Sequence, residues 1–108
     1  MSEQSDMEKL QLLEQNLQHY SKQRQQFQMH LKEVESALSE LDNSKETYKI
    51  VGNIMVDADK DKLREELNSK KETYELRIKN LESQEKKIKE KAQELQQKVM
   101  EDKNGSGN

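Results

Sequence analysis

Apolar side chains recur in alternating steps of three and four from Leu10 onward, through Leu13, Leu17, Tyr20, Phe27, Leu31, Val34, Leu38 and Leu41. Arg24 is the one polar member of this series. Such spacing places every member on one stripe of a helix, and more than four heptads of it predict a coiled-coil seam. Ser5-Asp6-Met7-Glu8 fits a capping box, in which hydroxyl and carboxylate satisfy backbone donors, so the first helix is expected over residues 5–42. Asp42-Asn43-Ser44 ends it, because these side chains compete for backbone hydrogen bonds and favour turns.

A second series reads Leu67, Lys71, Tyr74, Ile78, Leu81, Glu85, Ile88, Ala92, Leu95, Val99, with only Lys71 and Glu85 polar. Acids within Asp57-Ala58-Asp59-Lys60-Asp61 are suited to cap its start and complement the helix dipole. This second helix is expected over residues 59–101, fraying near Asp102 into a flexible tail at 103–108.

Both seams are roughly 50 Å long. A short connection then makes the helices antiparallel, each covering the other's stripe. Two registers satisfy the layer geometry. One sets Leu38 against Leu67 and Leu17 against Ile88; the other, one heptad away, sets Leu38 against Tyr74 and Leu17 against Leu95. The first is expected because it leaves fewer unpaired residues at the connection. In either, Arg24 and Glu85 occupy neighbouring layers, where they pair or extend their charged ends outward. A polar layer of this kind fixes register more than it adds stability.

Between the seams the period changes from helical to alternating. Thr47-Tyr48-Lys49-Ile50-Val51 and Ile54-Met55-Val56 flank Gly52-Asn53, a two-residue link that fits a type II′ turn with glycine at positive φ. A hairpin over residues 47–56 opposes Val51 to Ile54 and Lys49 to Val56 on one face. Ile50 and Met55 share the other with Tyr48. Both faces are therefore apolar, and a lone two-stranded hairpin is marginal in water with both edges open. Hairpins from several chains are expected to join into a shared inter-subunit sheet or β-barrel. The fold class is mainly α: one domain over residues 1–108, a long antiparallel two-helix coiled coil with one β-hairpin at the bend.

Composition narrows the possible chemistry. The chain has 108 residues, 30% hydrophobic and 38% charged, with no proline and no cysteine, which suits thin helices with solvated outer faces. Disulfides and thiolate chemistry are excluded. The net charge of −3 is unevenly spread: eight acids and four bases precede Asn43, whereas thirteen of each lie between Asp57 and Lys103. Mixed signs without a basic stripe argue against nucleic-acid binding. No apolar run suits a membrane span, and the first residues lack the features of an export signal, so a cytoplasmic protein is expected.

Asp57, Asp59 and Asp61 resemble the start of a calcium loop, but Lys62 stands where glycine is required and Asn68 where a bidentate glutamate belongs. His19 and His30 lie about 16 Å apart along a helix and cannot share a metal. Asn104-Gly105-Ser106 matches a glycosylation sequon, which carries little weight without export. Neither histidine is placed to activate a nucleophile, and no phosphate-binding glycine loop occurs. No catalytic residue, metal ligand or cofactor site is assigned, and an enzyme is not expected.

The stretch Tyr48-Lys49-Ile50-Val51-Gly52-Asn53-Ile54-Met55-Val56 resembles the hairpin signature of β-type prefoldin subunits, archaeal or eukaryotic. Its flanks, Ala37-Leu38-Ser39-Glu40-Leu41 and Leu63-Arg64-Glu65-Glu66-Leu67, resemble that family as well, and the likeness spans roughly residues 8–102. The resemblance implies a hexamer of two α-type and four β-type subunits. Hairpin residues Tyr48, Ile50, Val51, Gly52, Asn53, Ile54, Met55 and Val56 would then carry assembly. It further implies an ATP-independent chaperone that holds unfolded polypeptides between its coiled-coil tips and delivers them to a group II chaperonin.

The tips comprise the start of the first helix and the end of the second. Apolar residues there exceed what one seam needs, and Met7, Leu10, Leu12, Leu13, Leu17, Leu95, Val99 and Met100 are the expected client contacts. Methionine suits promiscuous contact, and several weak tips raise effective concentration. The inner leucines and Val99 also serve as the last core layers. A structural or adaptor coiled coil would share the heptads but leave the doubly apolar hairpin without a use. A tubulin-folding cofactor built on a helical hairpin would lack the β-hairpin altogether.

Overall fold

A computed structural model describes residues 3–106. The element order is α1 (Glu3–Asn43), β1 (Tyr48–Val51), β2 (Ile54–Asp57) and α2 (Lys60–Ser106). The chain divides into two compact units. Unit 1 takes the stretches up to Gln25 and from Lys79; unit 2 is Gln26–Ile78.

All twenty predicted seam positions are buried or half-buried, while most of their neighbours are exposed. In unit 2, Val34, Leu41 and Ile78 form the buried centre; in unit 1, Ile88 does so with the carboxylate-bearing Glu85. Each apolar side chain withdrawn in this way contributes about 1.5–3 kcal/mol. Ordering two long helices is sustained by that stripe and not by helix propensity alone.

The helices run antiparallel within each unit, and both units show the same register. In unit 2 the Phe27 and Tyr74 rings lie 5.9 Å apart, and Arg64 reaches Asp42 at 3.1 Å. The register that opposes Leu38 to Tyr74 would separate Phe27 from Tyr74 by about 16 Å along the axis. In unit 1, Lys98 Nζ stands 3.8 Å from Asp6, one residue from the pairing with Val99 that follows when Leu17 opposes Ile88. The expected register is the one observed.

Helix boundaries follow local chemistry with two corrections. α1 does not begin at Ser5: the helix already includes Glu3, so the expected capping box lies inside the first turns. Acidic Asp6 near the positive end of the dipole favours that extension. α2 continues to Ser106 instead of ending near Asp102, and Gly107 and Asn108 lie outside the described residues. Each residue added to an existing helix gains a backbone hydrogen bond, and one glycine costs only about 1 kcal/mol against it.

The inner ends match expectation. Ser44 N–H donates to the Leu41 carbonyl at 3.2 Å and its hydroxyl to the Glu40 carbonyl at 2.8 Å, closing α1. Asp59 caps α2 by accepting the Asp61 N–H at 3.3 Å, while the Asp59 carbonyl takes the first helical bond from Leu63.

Candidate functional sites

Apart from Met29 and Leu76 on the helices of unit 2, exposed large apolar side chains gather in two regions. The hairpin lies in unit 2, with β1 and β2 antiparallel in the expected register: Val51 against Ile54, Ile50 against Met55, Lys49 against Val56, Tyr48 against Asp57. Gly52 has φ of 62° and no other described residue has positive φ, the combination a type II′ turn demands at its first central position. Thr47 and Ala58 fasten the base. Ala58 N–H donates to the Thr47 carbonyl at 2.9 Å, and the Thr47 hydroxyl donates to the Ala58 carbonyl at 2.6 Å. Lys49 Nζ reaches Glu66 of α2 at 3.0 Å, a second tether whose exposure makes it weak.

Every strand residue is exposed. Ile50 shows 70% of its surface to solvent, and Ile54 and Met55 show 65% each. Val51, Val56 and Tyr48 are exposed as well, so neither face of the ribbon is covered within the chain. The Tyr48 hydroxyl donates to Glu46 at 2.7 Å, and that bond holds the phenol above its ordinary value of 10.0; slight desolvation and the negative charge of Asp57 act in the same direction.

The second region is the open end of unit 1. Leu10, Leu13, Leu17, Leu95 and Val99 sit half-buried in the seam, whereas Met7, Leu12 and Met100 stand exposed. The expected contacts thus separate into core layers and an outer apolar set. Leu12, Leu13 and Leu95 floor a groove of about 440 Å³ between the helices. Its walls include Lys9 from α1 and Lys91, Glu94 and Lys98 from α2, whose methylene stems extend the apolar surface.

Two features of this end escaped the sequence reading. Asp6 occupies the seam one layer beyond Leu10 and is only 1% exposed; neither carboxyl oxygen makes a hydrogen bond, and Lys98 is its ion partner at 3.8 Å. Counting four residues back from Leu10 would have placed it in the seam. The groove-wall lysines follow from the expected antiparallel register, which brings residue 9 beside residues 91 and 98.

Deeper in unit 1, Arg24 and Glu85 do pair inside the seam. In unit 2, His30 stacks on Tyr74 at 5.7 Å, and Arg77 lies over the Phe27 ring at 5.5 Å, so His30 also contributes packing. Among the described residues, no group of His, Asp and Glu gathers as a metal site, and no helix is long and apolar enough to cross a membrane.

A family model described as prefoldin subunit matches residues 4–105. The chain is 47% identical over 93 residues to a prefoldin subunit beta of Archaeoglobus fulgidus, covering 83% of this chain and 80% of that one. It is 45% identical over 89 residues to the prefoldin subunit beta of Thermococcus onnurineus, covering 80% and 77% respectively. The crystal structure of the prefoldin beta subunit from Thermococcus strain KS-1 superposes with a TM-score of 0.87 at 37% identity, over 92% of this chain and 90% of that chain.

Proposed function

The chain belongs to the prefoldin subunit family, and from that premise we propose that it serves as a β-type subunit of a hexameric, ATP-independent holding chaperone. The uncovered hairpin carries this reading. A ribbon apolar on both faces, with two open edges, is unfavourable in water until other ribbons cover it. Gly52 and Asn53 turn the ribbon, and Tyr48, Ile50, Val51, Ile54, Met55 and Val56 supply its contacts. Two α-type and four β-type chains would close these ribbons into a barrel that removes every edge.

The open ends of the helices are then left to hold client. Met7, Leu12 and Met100 offer apolar surface, with Leu10, Leu13, Leu17, Leu95 and Val99 reached as the ends fray. Each contact is weak, and several tips acting on one unfolded chain raise the effective concentration. Such a complex works without nucleotide in the cytoplasm and passes its client to a group II chaperonin.

The test is to mix the chain with an α-type subunit and measure native mass and the aggregation of a denatured protein without nucleotide. A hexamer that suppresses aggregation is expected. Deleting residues 1–12 together with 97–108 should abolish suppression and leave the hexamer. A lone soluble subunit with no effect on aggregation would instead identify a structural or adaptor coiled coil.

A further inference from the structure

The groove at the open end of unit 1 is lined by more positive than negative charge. Taking Leu10 and Leu13 as heptad positions a and d, the g positions of this unit are Lys9, Asn16, Gln23, Gln84, Lys91 and Lys98. None is acidic. In antiparallel pairing the g positions of both helices share one flank, which places Lys9 across from Lys98, and the groove opens on that flank. Stable coiled coils use opposite charges at such places, and like charges facing each other work against association. One cation is partly answered by Asp6, 3.8 Å from Lys98 and in the seam; Glu94 is the one acid in the groove wall. By formal charge the wall holds Lys9, Lys91 and Lys98 against Glu94, and it borders an apolar floor of Leu12, Leu13 and Leu95.

We propose that this groove selects non-native segments that combine apolar side chains with carboxylates, over otherwise equal segments that carry amines. This rests on the holding function proposed above and adds the client chemistry. An extended segment alternates its side chains between two sides, so apolar groups can enter the floor while acids meet Lys9, Lys91 and Lys98. The lysine stems cover the apolar groups and their ammonium ends stay in water, which makes the preference electrostatic and salt-sensitive.

The test uses the hexamer assembled with its α-type subunit and two fluorescent, unstructured peptides. Both carry the same leucines and phenylalanines, one with glutamates between them and the other with lysines. Fluorescence anisotropy at low salt is expected to show the glutamate peptide binding roughly three- to tenfold tighter. The difference should shrink below about twofold near ~0.5 M salt. Lys9→Glu combined with Lys91→Glu should reverse the order, with helicity and hexamer mass unchanged. If that variant does not assemble, the salt series on the unaltered hexamer decides the matter. Equal affinities, or tighter binding of the lysine peptide, would overturn the charge preference and leave the holding function standing. Binding of neither peptide would overturn both.

Discussion

Arg24 Nε lies 2.9 Å from one oxygen of Glu85 and 3.0 Å from the other, inside the seam of unit 1. The Glu85 side chain is 8% exposed and that of Arg24 23%, so the acid has less contact with water than its partner. The arginine spans one helical turn to reach it, since Leu81 is the residue opposite Arg24 in the observed register. Ser21 adds a longer bond at 3.4 Å that orients the guanidinium.

Removing one partner should therefore cost more than removing both. Arg24→Leu leaves a buried carboxylate without its cation and is expected to destabilise by about 2–4 kcal/mol, at the lower side of fully buried pairs because Arg24 is partly solvated. Arg24→Leu with Glu85→Leu should recover most or all of that loss. Urea unfolding followed by circular dichroism across the double-mutant cycle gives the coupling, and additive losses would show that the pair is not coupled.

Gly52 isolates backbone strain from crowding. A Cβ built there meets nothing within 4 Å, so a substitution is penalised only through φ, at 62°. Gly52→Ala should weaken each hairpin by about 1–2 kcal/mol. Gly52→Val should cost more, and Gly52→Asn less, because asparagine tolerates the left-handed region. The fraction of hexamer in native mass spectra reads the effect. A fully assembled Gly52→Val variant would show that the turn geometry does not govern assembly.

Much of this architecture was legible from spacing alone. The two seams, the hairpin register and a cap drawn from the acids at 57–61 follow from steps of three and four, from alternation, and from the chemistry of short polar side chains. Heptad spacing alone permits two registers, because a shift of seven residues preserves every a and d position. The Phe27–Tyr74 contact resolves it, and that contact is a property of two surfaces meeting. The start of α1 was misplaced because Ser5 and Glu8 have the same local chemistry at a cap as within a first turn. Asp6 continues the seam beyond Leu10 as a polar residue, so apolar spacing does not mark it.

The hairpin's exposed residues should separate folding from assembly. Ile50 and Met55 oppose each other on one face and are 70% and 65% exposed within the chain. Replacing either with lysine is expected to change the stability of the isolated subunit by no more than about 0.5 kcal/mol. In the proposed hexamer the same change would place an ammonium among apolar strands, where an unpaired charge is strongly disfavoured. Thermal melting of the lone chain and native mass of the mixture measure the two effects. Loss of helicity in the lone chain would mean that the ribbon supports the helices directly.

Asp6 sets how readily the open end of unit 1 separates. Its carboxyl oxygens are buried without a hydrogen bond, which costs about 1–3 kcal/mol, and Lys98 at 3.8 Å is too distant for one. Lying near the positive end of the α1 dipole returns only about 0.3–1 kcal/mol. Asp6→Leu should therefore tighten this end by about 1 kcal/mol and lower the population of the opened end roughly fivefold. Amide hydrogen exchange of the outer turns should slow accordingly, whereas Asp6→Asn, which keeps a polar group in the seam, should slow it much less. If client is taken up by seam leucines that fraying exposes, suppression of aggregation falls in step with exchange. Faster exchange in Asp6→Leu would mean instead that the acid holds the end together through Lys98.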